Sequence, residues 1–136
     1  NTLTQITYKG TWDDLPDFTQ LMSEQTELVS SISATDEEFV ALVIDGYLYI
    51  SATNMIEFAL ESDDGSRLLI DDRVVIENGG LHGTQEKRGS APLSRGWHNI
   101  KVEWFNKTGG AHLNLRMGVL GEAMHAIDPS IFATSK

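Results

Sequence analysis

Apolar and polar residues alternate along several segments of this chain, with the two-residue period that is typical of a strand with one buried face. The clearest example is Trp97–Phe105. Its Ile100, Val102 and Trp104 fall on one face of a strand, and we expect that face to be buried. Two further segments show the same alternation: Met55–Glu61 and Ala111–Met117.

Shorter apolar runs predict more strands in the first half of the chain. A first strand is expected at Gln5–Tyr8. A continuous apolar run at Phe39–Ile44 has the length of a strand, and we expect Gly46 to break it before Tyr47–Ile50 resumes the pattern. The two halves of this run are therefore predicted as separate pieces of strand.

A hairpin is predicted at Arg67–Ile76, where two β-branched and leucine-rich runs flank Asp71 and Asp72. Aspartate tolerates the backbone geometry of a tight turn, so the acidic pair suits the hairpin tip. Trp12–Glu27 is polar and irregular, with room for a short helical turn. The tail Glu122–Phe132 has no clear period and is expected to form a short helix or an added edge strand.

Short strands separated by Gly, Asn and Asp turns favour an all-β fold, either an antiparallel β-sandwich or a barrel. The 136 residues are enough for one domain, and we assign residues 1–136 to it. A chain of this length buries enough surface to fold without disulfides or other cross-links. It has no cysteine, so disulfides and cysteine-based metal sites or nucleophiles are excluded.

The chain carries a strong negative charge, with 20 acidic against 10 basic residues and a net charge of −10. A field of this sign repels phosphate backbones, so nucleic acid is not expected as a partner, and it attracts cations. No apolar run reaches the ~18 residues of a membrane span, so no membrane insertion is expected.

Motifs for catalysis are scarce. The chain has no Gly-x-Ser-x-Gly elbow, no His-Glu-x-x-His zinc helix and no phosphate-binding glycine loop. We therefore expect no enzymatic activity. The four histidines lack the spacing of metal ligands, and we expect each to be an ordinary hydrogen-bonded residue: His82, His98, His112 and His125.

Four acidic clusters occur, and one of them differs from the rest in its context. Asp63 and Asp64 end an alternating strand and are followed at once by Gly65. Two adjacent carboxylates repel each other unless they are protonated or bridged by a cation. Calcium suits such a place because it accepts carboxylate, amide and backbone carbonyl oxygens. The other clusters are expected to be solvated: Asp13–Asp14, Asp36–Glu38 and Asp71–Asp72.

Four motifs occur in an order that closely resembles one domain family. They are Gly46–Ile50, Phe58–Asp71 with its Ser-Asp-Asp-Gly-Ser block, Asn78–Gly83 (Asn-Gly-Gly-Leu-His-Gly) and Gly96–Asn106. The sequence resembles the fourteen-kilodalton family named after anthrax protective antigen, over about residues 5–120. We interpret 121–136 as a tail beyond the resemblance.

The resemblance implies an antiparallel β-sandwich in an extracellular or cell-surface protein, with the periplasm as another possible location. In fungal adhesins of this family, two adjacent aspartates joined by a cis peptide hold a calcium ion, and vicinal sugar hydroxyls complete its shell. The matching aspartates are Asp63 and Asp64, with Asn106 as the matching amide. Backbone carbonyls of Thr108 and Gly110 would add to the metal set. The ligand contacts would come from Asp63, Asp64, Asn106, Lys107 and Gly109.

Two functions follow from this resemblance. The first is a non-catalytic, calcium-dependent carbohydrate-binding module, part of a larger secreted glycosidase or adhesin, with a glycan or cell-surface polysaccharide as partner. The second is a structural domain that shapes the substrate cleft of an attached glycoside hydrolase. The long specificity loop of the adhesins has no obvious counterpart, and Glu77–Leu93 is the segment available for that place. Trp104 is expected in the core rather than on a sugar.

Overall fold

The computed structural model describes residues 1–136 and contains eleven strands. Their bounds are β1 (Leu3–Lys9), β2 (Gln25–Val29), β3 (Val40–Ile50), β4 (Asn54–Asp63), β5 (Ser66–Ile70), β6 (Arg73–Asn78), β7 (Gln85–Leu93), β8 (Gly96–Asn106), β9 (His112–Val119), β10 (His125–Ala126) and β11 (Phe132–Ala133). Two 3-10 turns, at Phe18–Gln20 and Pro129–Ile131, complete the structure. Neither helical turn is long and apolar enough to cross a membrane.

The strands form two antiparallel sheets. The larger sheet has the order β2-β1-β3-β8-β5-β6, with β11 added beside β3, and the smaller has the order β10-β9-β4-β7. Every pair of neighbouring strands is antiparallel. The structure confirms the antiparallel β-sandwich and excludes the barrel.

The core lies between the sheets and is built from the alternating faces that the sequence predicted. Phe58 and Leu60 of β4 are fully buried and belong to one apolar cluster with Val102 and Trp104 of β8. Burying a large apolar side chain contributes about 1.5–3 kcal/mol, so these strands supply much of the driving force for folding. The polar residues between them, such as Lys101, reach the outer surface.

A second, smaller apolar cluster lies on the outer face of the larger sheet. Tyr8, Ala41, Val43 and Phe105 form it, and the irregular segment that follows β1 packs over them through Trp12, Leu15, Phe18 and Leu21. The predicted helical turn of this segment is confirmed at Phe18–Gln20. Its end was predicted wrongly, because the chain is already in β2 from Gln25.

Gly46 does not interrupt its strand, which was predicted wrongly, since β3 runs unbroken through it. A Cβ at Gly46 would lie 2.5 Å from the Leu3 side chain and 2.8 Å from the Ala133 carbonyl. Neighbouring strands approach closely there, and this requires the missing side chain. Glycine at this position reflects packing rather than a turn.

The hairpin is confirmed with its tip at the acidic pair. Asp71 and Asp72 have φ of 51° and 64°, the left-handed region that aspartate tolerates better than most residues. The tail was predicted as either a helix or an edge, and it contains both, since a 3-10 turn separates β10 from β11. Glu77–Leu93 is not one long loop, because its second half is strand β7, paired with β4 along its length.

Candidate functional site

The ends of β4 and β8 meet at one end of the sandwich and bring the two predicted loops together. Asp63 is the last residue of β4, and the backbone N–H of Asp64 donates to the carbonyl of Phe105 at 3.2 Å. The N–H of Phe105 in turn donates to the carbonyl of Gly65 at 3.1 Å. These two bonds fix the acidic turn against the end of β8, where Asn106 lies.

The two aspartates are held in different ways. Their peptide bond is cis. The carbonyl of Asp63 accepts a hydrogen bond of 3.0 Å from the indole Nε1 of Trp104. The Asp64 side chain is buried, and its Oδ2 accepts from the backbone N–H of Lys107 at 2.9 Å. The Asp63 carboxylate is left facing the loop that follows β8.

The electrostatics of the pair favour a cation. Burial raises the pKa of Asp63, and the neighbouring Asp64 raises it further through its charge and a hydrogen bond. His82 and His112 act in the opposite direction and lower this pKa. A raised carboxyl pKa means that the ionised pair is poorly stabilised by the protein alone, so a divalent cation beside it would offset the repulsion.

Asn106 contributes a buried oxygen with no partner. The residue is fully buried, and its Nδ2 donates to the Glu37 carbonyl at 2.9 Å and to the Gly109 carbonyl at 3.4 Å. Its Oδ1 has no hydrogen-bond partner in the protein. A buried polar atom without a partner costs about 1–3 kcal/mol, so a ligand that binds this oxygen would stabilise the site.

The loop from Lys107 to Gly110 closes the other side of the site. A Cβ at Gly110 would lie 4.0 Å from Asp63 Oδ2, which makes the two residues neighbours. Thr108 and Gly110 are exposed, and neither of their carbonyls accepts a backbone hydrogen bond. Gly109 has a φ of +83°, which glycine adopts without strain. The loop therefore contains two free backbone oxygens, and one of them belongs to Gly110, the neighbour of Asp63.

A third segment, the acidic cluster Asp36–Glu38, was predicted to be solvated, and its residues are exposed, but Glu38 also contacts the site. Its Oε2 accepts a hydrogen bond of 2.6 Å from the backbone N–H of Gly109. The preceding Glu37 supplies the carbonyl that anchors Asn106 and also pairs with Lys9 through its carboxylate. The contacts of Glu37 with Asn106 and of Glu38 with Gly109 join residues 69 and 71 positions apart, so no local sequence pattern predicts them.

The first residue of the Asn-Gly-Gly-Leu-His-Gly segment, Asn78, stabilises the fold. Asn78 is fully buried and donates to the carbonyls of Leu60 and Gln85, at 3.2 and 3.0 Å, which ties β6 to the smaller sheet. A Cβ at Gly65 would lie 2.8 Å from the backbone of Gly80, so this segment also packs directly beside the acidic turn.

Asp14 holds the same segment from the other side. Its carboxylate accepts from the N–H of Gly80 at 2.8 Å, and the adjacent Asp13 pairs with the Lys107 ammonium at 2.6 Å. The cluster Asp13–Asp14 therefore also contacts the site, although its carboxylates were predicted to be only solvated.

The donor set is chemically suited to calcium. No group of three or more His, Asp or Glu side chains in the chain is placed to hold a metal ion. The two carboxylates of Asp63 and Asp64, the Asn106 amide oxygen and the free carbonyls form an all-oxygen set instead. Hard cations that take six to eight oxygens use such mixtures, whereas transition metals prefer nitrogen and sulfur. The unpartnered Asn106 oxygen fits this set.

A family model for the PA14 domain matches residues 23–129. The chain belongs to the PA14 domain family, which confirms the family indicated by its motifs. No curated protein sequence matches the chain.

Solved structures of PA14 domains share its fold. The PA14 domain of the antifreeze protein MpAFP superposes with a TM-score of 0.84 at 16% identity, covering 98% of this chain and 90% of that one. A PA14 sugar-binding domain from an RTX adhesin gives 0.83 at 15% identity, covering 100% and 99%. The Epithelial Adhesin 9 A domain from Candida glabrata, in complex with Galb1-4GlcNAc, gives 0.69 at 11% identity, covering 91% and 84%.

Proposed function

We propose that this protein is a non-catalytic carbohydrate-binding module whose site depends on calcium. The observation that carries the proposal is the fully buried Asn106 oxygen without a partner, in a residue whose two neighbours, Phe105 and Lys107, both hydrogen-bond Asp64. A calcium ion would satisfy this oxygen and neutralise the carboxylates at the same time. No other single ligand class answers both requirements so directly.

The ion would be held by the side chains of Asp63, Asp64 and Asn106 and by the carbonyls of Thr108 and Gly110. Bound calcium supplies open coordination positions for two neighbouring hydroxyl groups of a sugar. The protein's own part is to hold the donor atoms in place. Lys107 does so through its N–H to Asp64, and Gly109 through its carbonyl, which anchors the Asn106 amide. These two residues stand next to the ligand in the proposed complex.

Related structures support a glycan as the partner. One is described as a sugar-binding domain of an adhesin, and another binds Galb1-4GlcNAc. Glycans at cell surfaces and extracellular polysaccharides are the partners that this chemistry fits, and we place the protein outside the cell or at its surface. One shallow site of this kind binds weakly, so several copies in a larger secreted adhesin or glycosidase would raise the avidity.

The test is glycan binding with and without calcium. The wild-type protein should bind some members of a glycan array in calcium and lose its binding to these glycans in EDTA. Asp64→Asn should fail to bind the same calcium-dependent glycans in either buffer, whereas Asp72→Asn is the matched control, because Asp72 is an exposed acidic residue of another aspartate pair. An array on which no glycan requires calcium for binding would contradict the proposal.

A second candidate, a domain that shapes the cleft of an attached glycoside hydrolase, is favoured by an apolar groove. The groove has a volume of about 330 Å³ and includes Tyr49, Ile56 and Met117 among its lining residues. Met55 and Leu120 do not line the groove but adjoin its lining residues Ile56 and Val119 in the chain. Met55 is 39% exposed and Leu120 is 49% exposed, and the two are joined by a backbone hydrogen bond of 2.9 Å. Under this function, Leu120→Ser would weaken packing against the catalytic domain in the full protein and leave glycan binding unchanged.

A further inference from the structure

A second concave surface lies on the outer face of the larger sheet, away from the proposed calcium ligands. It has a volume of about 580 Å³ and is lined by residues of β1, β3, β5 and β8 together with the segment Leu15–Thr19. Sites for small ligands have volumes of about 300–1,000 Å³, so the groove is large enough for a small organic molecule. None of the residues proposed to hold calcium lines it.

One wall of the groove is apolar and aromatic. Tyr8 and Phe18 meet there with ring centroids 5.2 Å apart and planes inclined by 58°. Tyr8 is almost fully buried, whereas Phe18 is half-buried and keeps part of its ring accessible. Pro16 and Val43 extend the same wall. Such a surface packs against the C–H groups of a ligand.

The floor of the groove carries charges of alternating sign on neighbouring strands. Asp45 of β3 is in register with Lys101 of β8, and Glu103 of β8 is in register with Arg67 of β5. Arg67 bonds Glu103 at 2.9 Å and also pairs with Glu77 outside the groove. Because the charges are mixed, the floor offers no strong field to attract an ion of either sign.

Several polar groups of the floor have donors or acceptors that form no hydrogen bond within the protein. Lys101, which lines the groove, forms no ion pair, and its ammonium has three N–H donors. Glu103 uses one oxygen on Arg67, and Asp45 uses one on Asn99. Both carboxylates retain an oxygen as an acceptor. The groove thus combines free donors and free acceptors opposite an apolar wall.

We propose that this groove is a second saccharide site, independent of calcium. A neutral sugar presents C–H groups on one face and hydroxyl groups, which both donate and accept, around its edge. This combination matches the aromatic wall formed by Phe18 and the donor–acceptor floor formed by Lys101 and Glu103. An anion is disfavoured by the carboxylates and by the net charge of −10. A purely apolar ligand would leave Lys101 desolvated without a partner.

The segment after β1 connects this groove to the proposed calcium site. Leu15 lines the groove, while Asp13 pairs with Lys107 and Asp14 holds Gly80 beside the acidic turn. One segment therefore contributes residues to both surfaces.

The test is two-dimensional NMR of the protein in EDTA, titrated with lactose, maltose and cellobiose. Removal of calcium should prevent sugar binding at the proposed calcium site. A shift of amide resonances in EDTA therefore tests the groove independently of the calcium proposal. We expect at least one sugar to shift the amide resonances of residues such as Phe18, Lys101 and Glu103. Phe18→Ala and Lys101→Met should each weaken the binding about tenfold or more, which corresponds to about 1.4 kcal/mol.

Lys87→Met is the matched control, because Lys87 is an exposed lysine on β7 in the other sheet. It should bind the sugar as the wild type does. Two outcomes would overturn the proposal: no shift with any of the three sugars, or shifts that neither groove variant reduces. If the groove binds sugar in EDTA but no glycan requires calcium for binding, the first site alone is overturned.

Discussion

The indole of Trp104 donates a hydrogen bond of 3.0 Å to the backbone carbonyl of Asp63. Trp104 is fully buried in the core, whereas Asp63 ends its strand at the edge of the sandwich. One side chain therefore links the apolar core to the first residue of the aspartate pair. The position of the pair depends on core packing as well as on the loops around it.

Replacement of Trp104 by phenylalanine should affect both stability and metal binding. Trp104→Phe leaves the Asp63 carbonyl without its donor and opens a cavity, so we expect a loss of about 2–4 kcal/mol in the free energy of unfolding. Residues that orient metal ligands typically contribute 10- to 100-fold to affinity, and we expect calcium binding to weaken by about tenfold. Urea denaturation and calcium titration measure the two effects.

Trp97→Phe is the control for this change, since Trp97 is 39% exposed and its ring meets that of Tyr49 edge-on. It should leave calcium affinity unchanged. Equal calcium affinity in Trp104→Phe and the wild type would show that the indole has no part in holding the site.

Glu38 positions the loop that supplies the free carbonyls. Its carboxylate accepts from the Gly109 N–H at 2.6 Å, and Glu38→Ala removes this anchor. We expect calcium affinity to fall by about tenfold, while Glu38→Gln, which keeps an acceptor oxygen, recovers most of it. Asp36→Ala removes a nearby exposed carboxylate and separates this anchoring from the general loss of negative charge. An equal loss in Asp36→Ala would assign the effect to charge alone.

Gly65 has no room for a side chain. A Cβ there would lie 2.8 Å from the N and O of Gly80 and from the Phe105 ring. Gly65→Ala should therefore destabilise the protein by about 1–3 kcal/mol, the usual cost of overpacking. Gly83→Ala in the neighbouring segment should be nearly neutral, because nothing lies within 4 Å of its added Cβ. Thermal denaturation of the two variants compares them directly.

Strand prediction succeeded where one face of a strand is buried or a tight turn marks a hairpin, and it failed at two largely exposed edge strands, β2 and β7. The alternating apolar residues of β4, β8 and β9 predicted these strands directly, because each strand packs one face on the core. Strand β7 was missed because it is an edge strand, paired only with β4, and its largely exposed sequence carries little apolar pattern. Its Pro92 is tolerated there because an edge residue needs no donor on its open side. Strand β2, also at an edge, is almost entirely exposed.

Only some residues of the site could be predicted from the sequence. The motifs indicate Asp63, Asp64 and Asn106, and the structure brings these three residues together. Glu38 could not be found, because it reaches Gly109 across 71 residues of chain. Contacts of this kind depend on the register of β3 against β8, which no local pattern in the sequence encodes.

The opposite end of the sandwich contains a buried histidine whose charge affects stability. His98 Nδ1 lies 2.6 Å from Asp71 Oδ2, and Nε2 lies 2.7 Å from the Ser94 carbonyl. Neither partner can donate, so both bonds form only when both ring nitrogens are protonated. Burial of the ring lowers its pKa, but the bonds to Asp71 and Ser94 more than offset this, so the pKa of His98 is raised.

Because the folded pKa of His98 is above its ordinary value, its stabilising contribution is complete below pH of about 6.5 and is lost as the pH rises through the folded pKa. The positive charge of Lys136 lowers the pKa of His98 slightly. Asp71→Asn should flatten this decline in the free energy of unfolding, measured by urea denaturation in EDTA from weakly acidic to weakly alkaline pH. Asp72→Asn, at the adjacent turn position, should retain it. A wild-type curve without decline would contradict the ion pair.

Isothermal titration of calcium into the purified protein tests the central claim most directly. The wild type should bind one calcium ion, and bound calcium should raise the melting temperature as the ion concentration exceeds its Kd. Asp64→Asn should abolish both effects, and the control Asp72→Asn should preserve them. No calcium heat and no thermal shift in the wild type, or an Asp64→Asn variant that binds calcium as the wild type does, would contradict the account.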